Sequence, residues 1–150
     1  MATPLNRDDL LAESEPCPCH SGRTYGACCR PWHHGAPAPT PEALMRSRFA
    51  AYALGLVDHI VATTDPKGPQ WQRHAAAWRR SIAAFCEQTH FLGLQILEGG
   101  AEGDEGHVTF LAMLTQGGHD ASFTERSRFT RAQGRWRYHS GTPVGTPHRG

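Results

Sequence analysis

The sequence predicts an α+β fold in which helices pack beneath a curved antiparallel sheet, with a cysteine-rich segment in front. Three observations carry this. Between residues 40 and 88 apolar side chains recur at helical spacing. Beyond residue 89 the period drops to two. Turn signals then separate successive strands closely enough for a meander rather than crossovers.

Thr40-Pro41-Glu42 is a helix start, because a hydroxyl caps free amides while proline tolerates the first helical position. That helix is expected to end near Leu54, with Gly55 as its stop. A short second helix through Val57, Ile60 and Val61 ends before Asp65-Pro66. Trp71, Ala75, Trp78, Ile82 and Phe85 share one face of a third helix over 71–88. Leu92, Leu94 and Ile96 then alternate with Gly93 and Gln95, and Val108, Phe110, Ala112 and Leu114 alternate likewise. The acidic, glycine-rich stretch 98–106 reads as the loop between these two strands. A third strand over 122–131 turns at Gln133-Gly134 into a fourth over 135–140.

The chain has 150 residues, a length that fits one domain plus a small appendage. Leu, Ile, Val and Phe number only 24, but a formal charge of +1 argues against disorder and for a modest core. No run approaches the roughly 20 apolar residues of a membrane span, and the start lacks a basic segment followed by an apolar one. A cytoplasmic protein is the expectation. The same net charge gives no global attraction to nucleic acid, so such binding would need a local patch. Charges do cluster: Asp8, Asp9, Glu13 and Glu15 at the start, Glu98, Glu102, Asp104 and Glu105 in mid-chain, and Arg126, Arg128, Arg131, Arg135 and Arg137 near the end. Such runs usually mark solvated faces. The organisation that follows is a loose start at 1–15, a cysteine-rich knuckle at 16–35, a Pro/Ala hinge at 36–41, a body at 42–142 and a loose end at 143–150.

Cys17, Cys19, Cys28 and Cys29 place four thiols within 13 residues, with Ser21-Gly22 between them to reverse the chain. A divalent zinc ion takes four soft ligands in a tetrahedron, and this quartet supplies them. Two disulfides or four free thiols would also account for the count, although adjacent cysteines bridge poorly and a reducing compartment disfavours disulfides. His20, His33 or His34 could each replace one cysteine. Cys86 reads as a packed small hydrophobe. A four-sulfur site leaves no open position for water, so the metal is expected to be structural, ordering a segment too poor in aliphatic residues to build its own core.

The run Cys17-Pro-Cys-His-Ser-Gly-Arg-Thr-Tyr-Gly-Ala-Cys28-Cys29 resembles the SEC-C zinc motif, found at the C-terminus of the bacterial SecA translocation ATPase and fused to many bacterial proteins. Ala43-Leu-Met-Arg-Ser-Arg-Phe-Ala-Ala-Tyr-Ala-Leu54, Glu125-Arg-Ser-Arg-Phe129 and Gly134-Arg-Trp136 are similar to the YchJ family of bacterial proteins, and the likeness spans about residues 16–142. It implies that the four cysteines hold zinc and that the body resembles the nuclear transport factor two-like (NTF2-like) cone, a bent sheet closed by helices. Cones of this type commonly pair through the sheet face, which implies a homodimer. His20 stands where the motif usually has glycine, and the second SEC-C motif that longer relatives carry at their end is not found here.

Phe123, Glu125, Ser127 and Phe129 share one face of the third strand, and the aromatic face is expected to turn inward. Glu125 and Ser127 would then sit among apolar residues with Tyr138, while Arg46 or Arg48 from the first helix would pair with the carboxylate. Two functions from different classes follow. One is a non-enzymatic zinc-binding adaptor whose knuckle offers Arg23, Tyr25, Arg30 and Trp32 to a protein partner, or to nucleic acid or the ribosome. The other is a small-molecule binding protein, or a lyase- or isomerase-like enzyme, with a pocket around Glu125, Ser127, Tyr138 and Tyr52. A deep cavity lined by Glu125 with an unpaired carboxylate favours the second, and a small or filled interior the first. No phosphate-cradling loop, nucleophile elbow or His-Glu-x-x-His motif is present.

Overall fold

The computed structural model describes residues 11–145, so the acidic residues Asp8 and Asp9 and the last five residues lie outside the described part. The cysteine-rich segment folds around a 3-10 turn at Tyr25–Ala27 and a one-turn helix α1 at Arg30–His33. Glu13 and Glu15, assigned by sequence to the loose start, accept backbone hydrogen bonds from Gly26 and Tyr25 at 2.9 and 2.8 Å.

Helix α2, Pro41–Leu54, starts and stops as its sequence dictates. The Thr40 hydroxyl accepts from the Ala43 amide at 3.0 Å, and Gly55 closes the helix in the left-handed conformation at φ 75°. Helix α3 covers Val57–Ala62. Helix α4, Ala75–Gln88, begins one turn later than the apolar spacing predicts. The reason is upstream: Thr64 bridges Tyr138, and Gly68 lies so close to the His139 carbonyl that a Cβ there would collide with it. The chain is thus pinned to the sheet through Gly68, and Trp71 stays outside the helix, packing edge-on against Trp78 with centroids 5.0 Å apart.

Four antiparallel strands follow in spatial order β1-β2-β4-β5: β1 at Thr89–Glu102, β2 at Glu105–Gln116, β4 at Phe123–Ala132 and β5 at Arg135–Pro143. A two-residue strand β3, His119–Asp120, pairs back onto β2. The predicted loop at 98–106 is instead strand on both sides of a two-residue turn, Gly103-Asp104, with Glu102 opposite Glu105. The extension is held by cross-strand charge pairs at its rim, Arg126 to Glu98, Arg128 to Glu105 and Arg131 to Asp104, each at 3.0 Å. These exposed pairs contribute at most ~1 kcal/mol each. They also set carboxylates against Arg126, Arg128 and Arg131 of the arginine cluster. Gln133 and Gly134 both take positive φ, 56° and 77°, the two-residue turn that suits a right-twisted hairpin.

Bulges in β1 at Phe91/Gly93 and Ile96/Glu98, and between β4 and β5 at Arg128/Phe129, bend the sheet. The first also overturns the simple alternation expected in β1: Leu92 points outward, 59% exposed, while Gly93 and Leu94 are both buried. Inside the bend Leu44, Met45 and Phe49 of α2 meet Val108, Phe110, Ala112 and Leu114 of β2, Phe129 of β4 and Trp136 of β5. Ala38, in the stretch expected to be a hinge, is buried in this same cluster.

Candidate functional site

The first site is built by local chain reversals. Pro16 and Thr24 form an antiparallel bridge, the Cys17 amide donates to the Arg23 carbonyl at 2.9 Å, and the His20 amide donates to the Cys17 carbonyl at 3.0 Å. His20 occupies the left-handed region at φ 62°, which explains why glycine is the usual residue there. These turns bring Cys17 and Cys19 to Cys28 and Cys29, all four buried, with sulfur atoms within 4.8 Å of one another. The Cys19–Cys28 and Cys28–Cys29 sulfur separations are 3.5 and 3.9 Å. A disulfide requires about 2.05 Å. A tetrahedral ion with metal–sulfur bonds of about 2.3 Å sets its sulfurs ~3.8 Å apart. The four side chains therefore fit a metal ion and are compatible with zinc; none is in a disulfide. Among the described residues no histidine joins the cluster.

The electrostatics of the quartet are those of thiols waiting for a cation. Hydrogen bonds from Cys17 and Cys29 hold the Cys19 thiol below its ordinary range. Its donors move the other way: the bond to Cys19 pushes Cys17 up to about 12, and Cys29 is raised by its bonds to Cys17 and Cys19. Around them, the Ser21 hydroxyl lies 3.2 Å from Cys28 Sγ. Arg46 Nη1 reaches the Cys19 carbonyl at 3.3 Å and its sulfur at 3.9 Å. Burial opposes the Arg46 charge, but hydrogen bonds to Glu42 and Cys19 raise its pKa overall. Arg46 thus serves the metal site and not Glu125.

Of the residues expected on a partner surface, Arg23 is exposed and Arg30 half-buried. Trp32 is partly buried and packs on the main core. Tyr25 is a correction: it is fully buried beside the cysteines and Ala50 of α2, and its hydroxyl pairs with His33 Nδ1 at 2.6 Å. Trp32, the segment's other large aromatic, packs on the main core instead, so the tyrosine turns inward to cover the cysteines.

The second site lies inside the bent sheet. A cavity of about 240 Å³ is lined by Arg48, Phe49 and Tyr52 of α2, Trp78 and Phe85 of α4, and Phe110, Glu125, Ser127 and Tyr138 of the sheet. The structure thus gathers all four expected pocket residues. Ser127 donates to Glu125 Oε2 at 2.6 Å and the Tyr138 hydroxyl donates to the same oxygen at 3.1 Å. Gly141 stands opposite Ser127 and leaves room for the carboxylate. Burial, then the neighbouring Glu125 charge, pushes the Tyr138 pKa well up, so it remains a donor.

Arg48 does not pair with Glu125. It is 5% exposed, and its Nη1 donates to the Ile60 carbonyl and to the Thr63 and Thr64 hydroxyls at 3.1, 2.8 and 3.2 Å. Its guanidinium also sits 4.7 Å from the centroid of the Tyr138 ring. Burial lowers its pKa, and nearby groups including Glu125 offset part of that. No described carboxylate lies within ion-pair distance. A buried arginine in the middle of a helix carries no periodicity signal, and only its place one turn before Tyr52 marks the face it would share.

The fold and the four cysteines define a class: an NTF2-like cone carrying an N-terminal SEC-C motif. The SEC-C model matches residues 14–31 and the model of the "YchJ, middle NTF2-like domain" matches residues 40–141. The chain belongs to the YchJ family, whose curated members include UPF0225 proteins of Serratia proteamaculans, 43% identical over 85% of this chain and 83% of that protein, and of Pectobacterium carotovorum, 42% identical over 89% and 86%. A SEC-C motif containing protein from Rhodopseudomonas palustris, solved in solution, superposes with a TM-score of 0.75 at 42% identity, covering 86% of this chain and 98% of its own. One from Psychrobacter arcticus shares the fold at 0.71 and 23% identity, covering 91% and 86%. Among the described residues no helix is long and apolar enough to cross a membrane.

Proposed function

We propose that this chain is a zinc-stapled small-molecule-binding domain, in which zinc on Cys17, Cys19, Cys28 and Cys29 is structural and the cone cavity receives the ligand. The observation that carries the reading is Arg48, a buried guanidinium on the cavity wall with no described carboxylate within ion-pair distance. Buried charges are ordinarily paired, and an unpaired one lining a cavity is a fixture for something that enters. Four sulfurs fill a zinc coordination shell, so the metal would supply tertiary cross-linking and no activated water. The thiolate chemistry suits a reducing, cytoplasmic compartment. In the lyase or isomerase form of the reading Glu125, fixed by Ser127 and Tyr138, accepts a proton from the ligand. The test is a nuclear magnetic resonance fragment screen of the zinc-loaded chain. Shifts confined to residues around the cavity support the proposal, and binding only to the outer surface contradicts it.

One observation favours the adaptor reading as a second choice. Beside Cys28 and Cys29 a groove is lined by Ser21, Arg23, Trp32, Glu42 and Arg46. A protein strand there would bind with little salt dependence, whereas RNA or the ribosome would release counterions and bind with a steep one. A homodimer through the sheet face, where Leu92 and Leu97 are 59% and 50% exposed, is tested by sedimentation.

A further inference from the structure

The cavity has a distinct chemical polarity. Phe49, Phe85, Phe91 and Phe110 give it flat aromatic walls, and its only charged lining groups are Arg48 and Glu125. The two charges are provided for unequally. Glu125 Oε2 already receives two hydroxyl donors. Arg48 Nη1 reaches a carbonyl and two hydroxyls, and the side chain also bonds Tyr52 and lies over the Tyr138 ring, all neutral partners, while a guanidinium offers five N–H donors. The charge that is missing is therefore negative. Size is in keeping with this: an apolar cavity of about 150 Å³ accommodates benzene, so about 240 Å³ has room for one substituted ring.

We propose that the cone cavity takes a single-ring aromatic carboxylate, with the anion on Arg48 and the ring between the phenylalanines; this rests on the cavity being the ligand site. Arginine suits the role because its planar fork matches a carboxylate in two parallel hydrogen bonds. Such a ligand completes the ion pair that the fold leaves open and keeps the aromatic surface out of water.

The experiment compares benzoate with benzamide, its neutral isostere, by titration of the zinc-loaded full chain followed by nuclear magnetic resonance. Benzoate is expected to bind at least tenfold tighter, with shifts at residues lining the cavity. Arg48→Met is expected to abolish the preference while β4 and β5 keep their resonance pattern. If that variant fails to fold, the benzoate-to-benzamide ratio on the unsubstituted chain still decides. Equal affinity of the two rings within the cavity overturns the carboxylate proposal and leaves the cavity as a ligand site. Failure of both to shift cavity residues at millimolar concentration overturns the two together.

Discussion

His33 Nε2 lies 2.8 Å from the main-chain oxygen of Ser47, which joins the end of the cysteine-rich segment to the helix turn that carries Arg48. A carbonyl only accepts, so Nε2 holds the proton and Nδ1 accepts from the Tyr25 hydroxyl. The Ser47 hydroxyl donates to the Leu44 carbonyl at 2.7 Å, and His59 Nε2 completes the set at 2.9 Å. The metal site and the cavity therefore share one helix. Ala50 of α2 packs on the cysteines, while Arg48, Phe49 and Tyr52 line the cavity.

Cys28→Ser is expected to release the metal and remove amide-exchange protection from residues 16–35. A structural metal contributes of the order of 10 kcal/mol to folding a segment of this kind. The sheet has its own core and keeps its protection, while α2, losing its cover at Ala50 and Ser47, exchanges faster than in the parent. Exchange measured by mass spectrometry distinguishes the two regions.

Arg46→Ala removes the cation nearest the sulfurs without removing a ligand. Partners that orient metal ligands are typically worth 10- to 100-fold in affinity. Competition with a chromogenic chelator is expected to show a loss in that range, with the helical circular dichroism of the metal-loaded protein unchanged.

His59 makes stability depend on pH. Burial, then His33 and Arg48, pull its pKa down to about 3 from an ordinary 6.5. The unfolded chain takes up this proton first, so the stabilisation is fully present above about pH 6.5 and is lost as pH falls toward 3. At ~1.36 kcal/mol per unit, the loss between pH 7 and pH 4 is roughly 2–3 kcal/mol. His59→Gln keeps a donor for Ser47 but does not titrate. Urea midpoints of the variant are expected to fall less steeply with acid than those of the parent, and parallel slopes would contradict this.

Gly141→Ala places a methyl group against Glu125, with the Tyr138 hydroxyl 2.7 Å from the new carbon. Overpacking of this kind costs ~1–3 kcal/mol. The thermal midpoint is expected to drop, and the carboxylate to leave its seat beside Ser127.

Where local chemistry alone acts, the sequence was readable. The Thr40 cap, the Gly55 stop, the Gln133-Gly134 turn and the cysteine quartet depend on neighbours a few residues away. Glu125, Ser127 and Tyr138 were placed on the inner face by strand alternation, and the structure brings them together. The start of α4 was not readable, because residues 64–68 are held by β5, far along the chain. The β1–β2 extension was not readable either, since carboxylates and glycines at 98–106 look like a loop until arginines from β4 stand opposite them. Tyr25 in its burial and Arg48 in its partners depart from expectation for one reason: the setting of a polar side chain is decided by whichever hydrogen-bond partners surround it, and those come from other elements.

Elemental analysis of the chain purified without chelator, paired with thiol titration, tests the four-sulfur centre most directly. One equivalent of zinc per chain with a single titratable thiol, Cys86, is the expected result. Less than half an equivalent of any metal, with all five thiols reacting in the native protein, would contradict it.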